Sequence, residues 1–92
     1  MRMLMAVVDS GKKEELEVVL GRCGVQGWTE LSGAGSGATG PSLGSRAFPR
    51  TSAVILSLLP DAEALRVAGE LKTFCKGCGE RARIVTWPVE EA

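Results

Sequence analysis

Apolar and polar positions divide the chain into stretches whose period switches between two and roughly three and a half. Met3 to Val8 is a short apolar run closed by "DSG", which predicts a strand. In "SGKKEELEVVLGRCG" the spacing changes, and Leu16, Val19, Leu20 and Cys23 recur at helical intervals. Glu14, Glu15 and Glu17 fall in the first turns of that helix, where its dipole favours acids. Asp9 or Ser10 is expected to cap its start, and Gly24 its end. "GWTELSG" predicts a second strand, and "SAVILSLL" a third, the most apolar in the chain. Pro60–Asp61 ends the third strand and opens a second helix. Asp61 is its expected cap, and Ala64, Ala68, Leu71 and Cys75 its apolar face. "RIVTW", ended by Pro88, predicts the fourth strand.

The order β-α-β-β-α-β implies an α+β fold, the ferredoxin-like sandwich, in which four antiparallel strands carry both helices on one face. Handedness and short connections leave few competitors. With helices on one face and water on the other, the strands should alternate apolar and polar. Here they do not. Met3, Met5 and Val7 oppose Leu4, Ala6 and Val8, and Val54, Leu56 and Leu58 oppose Ala53, Ile55 and Leu59. Ser57 is the one polar exception in these two runs. The helix-free face therefore needs a cover, and another copy of the chain is the simplest one. An obligate oligomer is expected.

Antiparallel alternation also fixes which loops meet. "DSGKK", the stretch "SGAGSGATGPSLGS" and "CKGCGER" fall at one end of the sandwich, and Cys23 at the other. A ligand would bind where the three loops converge. Gly35, Gly37 and Gly40 satisfy G-x-G-x-x-G, but Pro41 and an aperiodic polar run follow them. The dinucleotide fingerprint needs a helix start there, so a flexible connection over residues 33–50 is the better reading.

Composition narrows the classes. The 92 residues suit a single domain, with 45% apolar and 24% charged residues. Eleven basic residues balance eleven acidic ones and the pI is about 6.2, so no nucleic-acid footprint is expected. No apolar run reaches the ~18 residues of a membrane span, and the opening "MRMLMAVV" is too short for a signal sequence. Three cysteines argue against a secreted disulfide framework, so a cytoplasmic protein is expected. There is no histidine, which removes the obvious proton shuttle, and no serine sits in a nucleophile elbow. No catalytic residue is assigned. Cys75-Lys76-Gly77-Cys78 is the sharpest chemical motif. Reduced structural thiols, a regulatory disulfide and a metal contact through Cys75 and Cys78 all remain open for it. Trp28 and Trp87 suit core or interface packing, with a stacked ligand as the alternative.

The opening "MLMAVVDSGKKEELEVVLGRCGVQGWTEL" resembles the start of the PII signal-transduction proteins, as do the third strand ending in Pro60–Asp61 and the tail "PVEEA". The resemblance covers most of the chain. It implies a ferredoxin-like homotrimer that regulates a partner protein, such as a membrane transporter, and is no enzyme. It also implies adenine nucleotide (ATP, ADP or AMP) in clefts between subunits, beside a β2–β3 loop that corresponds here to the glycine-rich stretch. The candidate ligand-binding residues that follow are Lys12, Gly33, Gly35, Arg46, Lys76, Gly77, Gly79, Arg81 and Arg83. The sequence departs from the family in having no tyrosine. The family's "G-D-G-K-I" also has no clean counterpart: Gly77-Cys78-Gly79-Glu80 puts an acid at the lysine, and alignment from the tail puts Arg83 there. The alternative class is a metal- or redox-responsive trimer, similar to the CutA-like cation-tolerance proteins or to PII-like proteins linked to metal efflux, working through Cys75 and Cys78.

Overall fold

A computed structural model describes residues 1–33, 36–37, 40–41, 52–78 and 82–92. The elements run β1 (Arg2–Asp9), α1 (Lys13–Arg22), β2 (Thr29–Gly33), β3 (Ser36–Gly37), β4 (Gly40–Pro41), β5 (Ser52–Leu59), α2 (Asp61–Cys78) and β6 (Arg83–Pro88). β2, β5, β1 and β6 form one sheet in that spatial order, with every neighbouring pair antiparallel. This is the ferredoxin-like arrangement that the sequence order implies. β3 and β4 form a separate two-residue ladder inside the glycine-rich stretch. Glycine, serine and proline offer no apolar alternation, so nothing in the pattern announced it. The mobility expected for the rest of 33–50 lies outside the described residues.

Each helix closes or opens differently from expectation at one end. α1 stops where Gly24 adopts φ +85°, the left-handed region that glycine enters without penalty. Gly24 N–H donates to Gly21 O at 3.0 Å and Val25 N–H to Leu20 O at 3.1 Å, the paired bonds of a Schellman motif. Its start is not the expected one. β1 continues to Asp9, opposite Ser52, and the chain reverses through a 3-10 turn, Ser10–Lys12. The Asp9 side chain makes no capping bond to that turn, and Lys12 occupies the α-helical cap position. For α2, Asp61 is already the first helical residue rather than its cap. The Pro60 carbonyl accepts Ala64 N–H at 2.8 Å, and the Asp61 carboxylate pairs with the Met1 ammonium at 3.0 Å.

The core lies between the helices and one face of the sheet. Leu16, Val19 and Leu20 of α1, and Ala64, Val67, Leu71 and Cys75 of α2, are buried. Val67 takes the place expected for Ala68, which is half-buried beside it. From the strands the core receives Leu4, Ala6 and Val8, and Ala53, Ile55, Ser57 and Leu59. Ser57 satisfies its buried hydroxyl by donating to Gly27 O at 2.7 Å.

The register then defines the opposite face. Met3, Met5 and Val7 stand opposite Leu58, Leu56 and Val54 on β5, and Met3 and Met5 opposite Trp87 and Val85 on β6. Leu31 of β2 stands opposite Val54. Directly paired residues share a face, so an apolar patch crosses all four strands on this side, with Thr29 and Arg83 at its margins. Leu31, Val85 and Trp87 are exposed there at 51%, 38% and 40%. Trp87 is thus an open-face residue, whereas Trp28 packs against the core.

Candidate functional site

The topology brings the end of β1, the end of β2, the C-terminus of α2 and the start of β6 to one end of the sandwich. Asp9 and Gly33 both stand opposite Ser52, and Arg83 stands opposite Val7. A cleft of about 460 Å³ opens at this end between α2 and β6, lined by Lys72, Thr73, Cys75, Lys76, Ala82, Arg83 and Ile84. Its size suits a small-molecule ligand. Lys72 and Lys76, four residues apart on one helix, fall on the same side of α2. Lys72, Lys76 and Arg83 are exposed, and none forms an ion pair with a described residue. The end of α2 contributes a partial negative charge of about half a unit, so three cations leave the cleft net positive. Phosphate or carboxylate is the chemistry it suits.

The structure brings two of the sequence candidates, Lys76 and Arg83, into this cleft. Gly77 lies in the last turn of α2. Lys12 and Gly33 stand at the same end but outside the lining, and Lys12 Nζ lies 3.7 Å from Glu15 Oε2. Gly35, Arg46, Gly79 and Arg81 lie outside the described residues. Lys72 and Thr73 were not anticipated, although the four-residue spacing of the two lysines was a usable signal. Cys75 lies on the buried face of α2, as its helical spacing implied, and the helix runs on through Cys78. Cys23 sits at the opposite end, where its carbonyl accepts Arg66 Nη2 at 3.0 Å. Among the described residues no group of three or more potential metal ligands comes together.

A second polar cluster ties α1 to the edge strand β2, the root of the glycine-rich stretch. Trp28 Nε1 donates to Glu17 Oε2 at 3.1 Å, and Lys13 Nζ lies 3.3 Å from Glu30 Oε1. The Glu17 and Glu30 carboxyls share a hydrogen bond, which raises the pKa of Glu17 with help from desolvation. The same bond, with Lys13, lowers that of Glu30. The two groups therefore titrate as a pair, in which the shared bond favours the proton on Glu17 over Glu30. The stability that protonated Glu17 adds is present below the ordinary 4.5 and lost as pH rises through its folded value. That from ionised Glu30 is present above 4.5 and lost as pH falls through its folded value. At neutral pH the two carboxylates repel. Glu17→Gln keeps a donor for Glu30 and an acceptor for Trp28, so its melting temperature should exceed the parent's at neutral pH. The difference should disappear under acid conditions in a pH series of thermal melts. A variant less stable at neutral pH would contradict this account.

No family model and no curated protein matches the sequence. Solved structures do match the fold. A protein of Thermus thermophilus assigned to PII-like signalling aligns with TM-score 0.72 at 17% identity, over 94% of this chain and 83% of that one. CPII from Thiomonas intermedia K12, a nitrogen regulatory PII-like protein bound to ADP, AMP and bicarbonate, aligns with TM-score 0.69 at 17% identity, over 99% and 93%. The same protein bound to ADP and bicarbonate gives TM-score 0.70 at 19%, over 96% and 86%. The alignments take in nearly the whole sheet-and-helix framework described above, and the chain has the fold of the PII-like signalling proteins.

Proposed function

We infer that the chain is a regulatory trimer that binds an adenine nucleotide between subunits and reports its occupancy to a partner protein. The observation that carries this reading is the cationic cleft formed by Lys72, Lys76 and Arg83 at the loop-bearing end. Geometry within one chain favours a shared site. β2, which leads into the glycine-rich stretch, and β6, which starts at Arg83, are opposite edges of the sheet. Two strands separate them, about 14 Å in all. A ligand that touches both the loop root and the cleft is therefore better placed between neighbouring chains than across the width of one sheet. Arg83 also pairs with Val7, on the parity of the open apolar face, so it stands where cleft and subunit boundary would meet.

The apolar face supports the assembly. A monomer would leave Met3, Met5, Val54, Leu56, Leu31 and Trp87 facing water on one side of the sheet. CPII, with the same fold, is found with ADP and AMP, which supports this ligand class. The role is a sensor's: nucleotide that prefers one arrangement of the loop shifts its population, and the partner reads the loop. A membrane transporter is one such partner, reached from the cytoplasm. No helix among the described residues is long and apolar enough to cross a membrane itself.

Sedimentation equilibrium combined with calorimetric titration of ADP, AMP and adenosine tests the reading. A trimer that binds ADP more tightly than adenosine is the expected result. A stable monomer at micromolar concentration, or equal affinity for adenosine and ADP, would defeat it.

A further inference from the structure

Glu30 is an acid at a position whose strand parity belongs to the core. It stands opposite Ile55 on β5, which in turn stands opposite Ala6 on β1, and both of those residues are buried under the helices. Inward-pointing charge is one way an edge strand is protected, and such a charge needs a partner beneath the helix. Trp28, two residues before it, packs against the core. α1 meets them both. Glu17 Oε2 accepts Trp28 Nε1–H at 3.1 Å, Lys13 Nζ lies 3.3 Å from Glu30 Oε1, and the two carboxyls share a hydrogen bond. These side chains bridge α1 to β2, whose last residue, Gly33, opens the glycine-rich stretch.

We propose that Glu17 and Glu30 form an acid-closed latch between α1 and the edge strand β2, so that pH sets how firmly the root of the glycine-rich stretch is held. The latch is closed when Glu17 carries a proton and donates it to the Glu30 carboxylate, with Lys13 paired to that same carboxylate. When Glu17 loses the proton, two carboxylates face each other and the bridge between helix and strand opens. The surrounding groups set which carboxyl takes the proton. α1 contributes Lys13 and, a turn before Glu17, Glu14; the α1–β2 connection contributes Trp28, and β5 the apolar Ile55. Lys13 is the one cation acting on the pair among the described residues, and it sits on Glu30. The shared bond and desolvation raise the pKa of Glu17, while that bond and Lys13 lower the pKa of Glu30. The latch is therefore closed in mild acid and opens as pH rises through the folded value of Glu17, which lies above the ordinary 4.5. β2 keeps its ladder to β5 in both states, so the change is local.

Hydrogen exchange of the native chain between about pH 7.5 and about pH 4.5, corrected for the intrinsic pH dependence of exchange, tests the latch. Protection of the β2 amides should rise about three- to tenfold on acidification, the worth of one hydrogen bond. Amides of β1, in the middle of the sheet, should not follow. Glu17→Gln keeps a donor for Glu30 without a titrating group, so its β2 should be well protected throughout. Glu30→Ala removes the acceptor, and its β2 should stay weakly protected throughout. The Trp28 Nε1 proton resonance gives a second reading, moving with pH in the native chain and holding still in Glu17→Gln. Equal β2 protection at both ends of the range, a pH response retained in Glu17→Gln, or an equal response in β1 would overturn the proposal. The measurement needs no nucleotide, so this proposal and the nucleotide reading can fail separately.

Discussion

Leu56→Asp should give folded chains that no longer assemble, whereas the adjacent change Ile55→Asp should give chains that do not fold. The two residues are neighbours in β5 and differ in parity alone. Ile55 is 2% exposed and stands opposite Ala6 and Glu30, on the side packed against the helices. An unpaired carboxylate there costs several kcal/mol, a large part of the roughly 5–14 kcal/mol available to a domain of this size. Leu56 is half-buried opposite Met5 and Thr29, in the middle of the helix-free face. In an isolated chain a charge at that position remains hydrated and folding survives. In an assembly it would sit in an apolar interface without a partner and oppose association by a similar amount. Circular dichroism should show native signal for Leu56→Asp and its loss for Ile55→Asp. Sedimentation should show a small species for Leu56→Asp in place of the trimer. If Leu56→Asp assembles like the parent, the subunit boundary lies elsewhere.

Sequence alone could not decide which of these two changes does which, and the reason is physical. When one face of a strand is polar, parity names the core side. Here β1 and β5 are apolar on both sides, so their pattern carries the need for a cover but not its location. The helices do not break the tie either, since they show their own buried stripe and not the strand face they meet. Register decides it, and register depends on contacts made across the chain. Similar reasoning explains the smaller differences. Val67 and Ala68 are adjacent apolar residues on the inner side of α2, and choosing between them takes a helix rotation of one residue. The cap of α1 shifted because β1 keeps pairing through Asp9, a tertiary constraint that local cap preference does not contain. The strand bounds of β5, by contrast, were fully legible, since threonine and serine precede an apolar run interrupted only by Ser57, and proline ends it.

The candidate site was legible in part for related reasons. Arg83 emerged from aligning the tail with the family and Lys76 from the "CKGCGER" loop, although they reach the cleft from opposite sides of the α2–β6 connection. Lys72 escaped notice because a lysine on an exposed helix face is ordinary until a strand places an arginine across from it. Lys12 looked equally suitable in sequence, but Glu15, three residues on, takes up its charge.

Removing the cleft cations should weaken nucleotide binding in proportion to the phosphate charge of the ligand. A hydrogen bond to a charged group is worth about 1.5–3 kcal/mol, so Arg83→Ala should weaken ADP by about ten- to hundredfold. Arginine's planar fork matches phosphate with two parallel bonds, and Arg83→Lys should therefore restore part of the loss but not all of it. Lys72→Ala and Lys76→Ala each remove a single point charge from the exposed side of α2. Their effects should be smaller and should fade with added salt, as solvent screens them. AMP should suffer less than ADP in every variant, and adenosine should be almost unaffected because it carries no phosphate. That graded order separates loss of an anion contact from general damage to the fold, which would weaken all three ligands alike. Calorimetric titration of the three ligands against the native chain and these variants measures it. ADP affinity that survives the combined Lys76→Ala/Arg83→Ala change would place the phosphates away from the α2–β6 cleft, and with them the site.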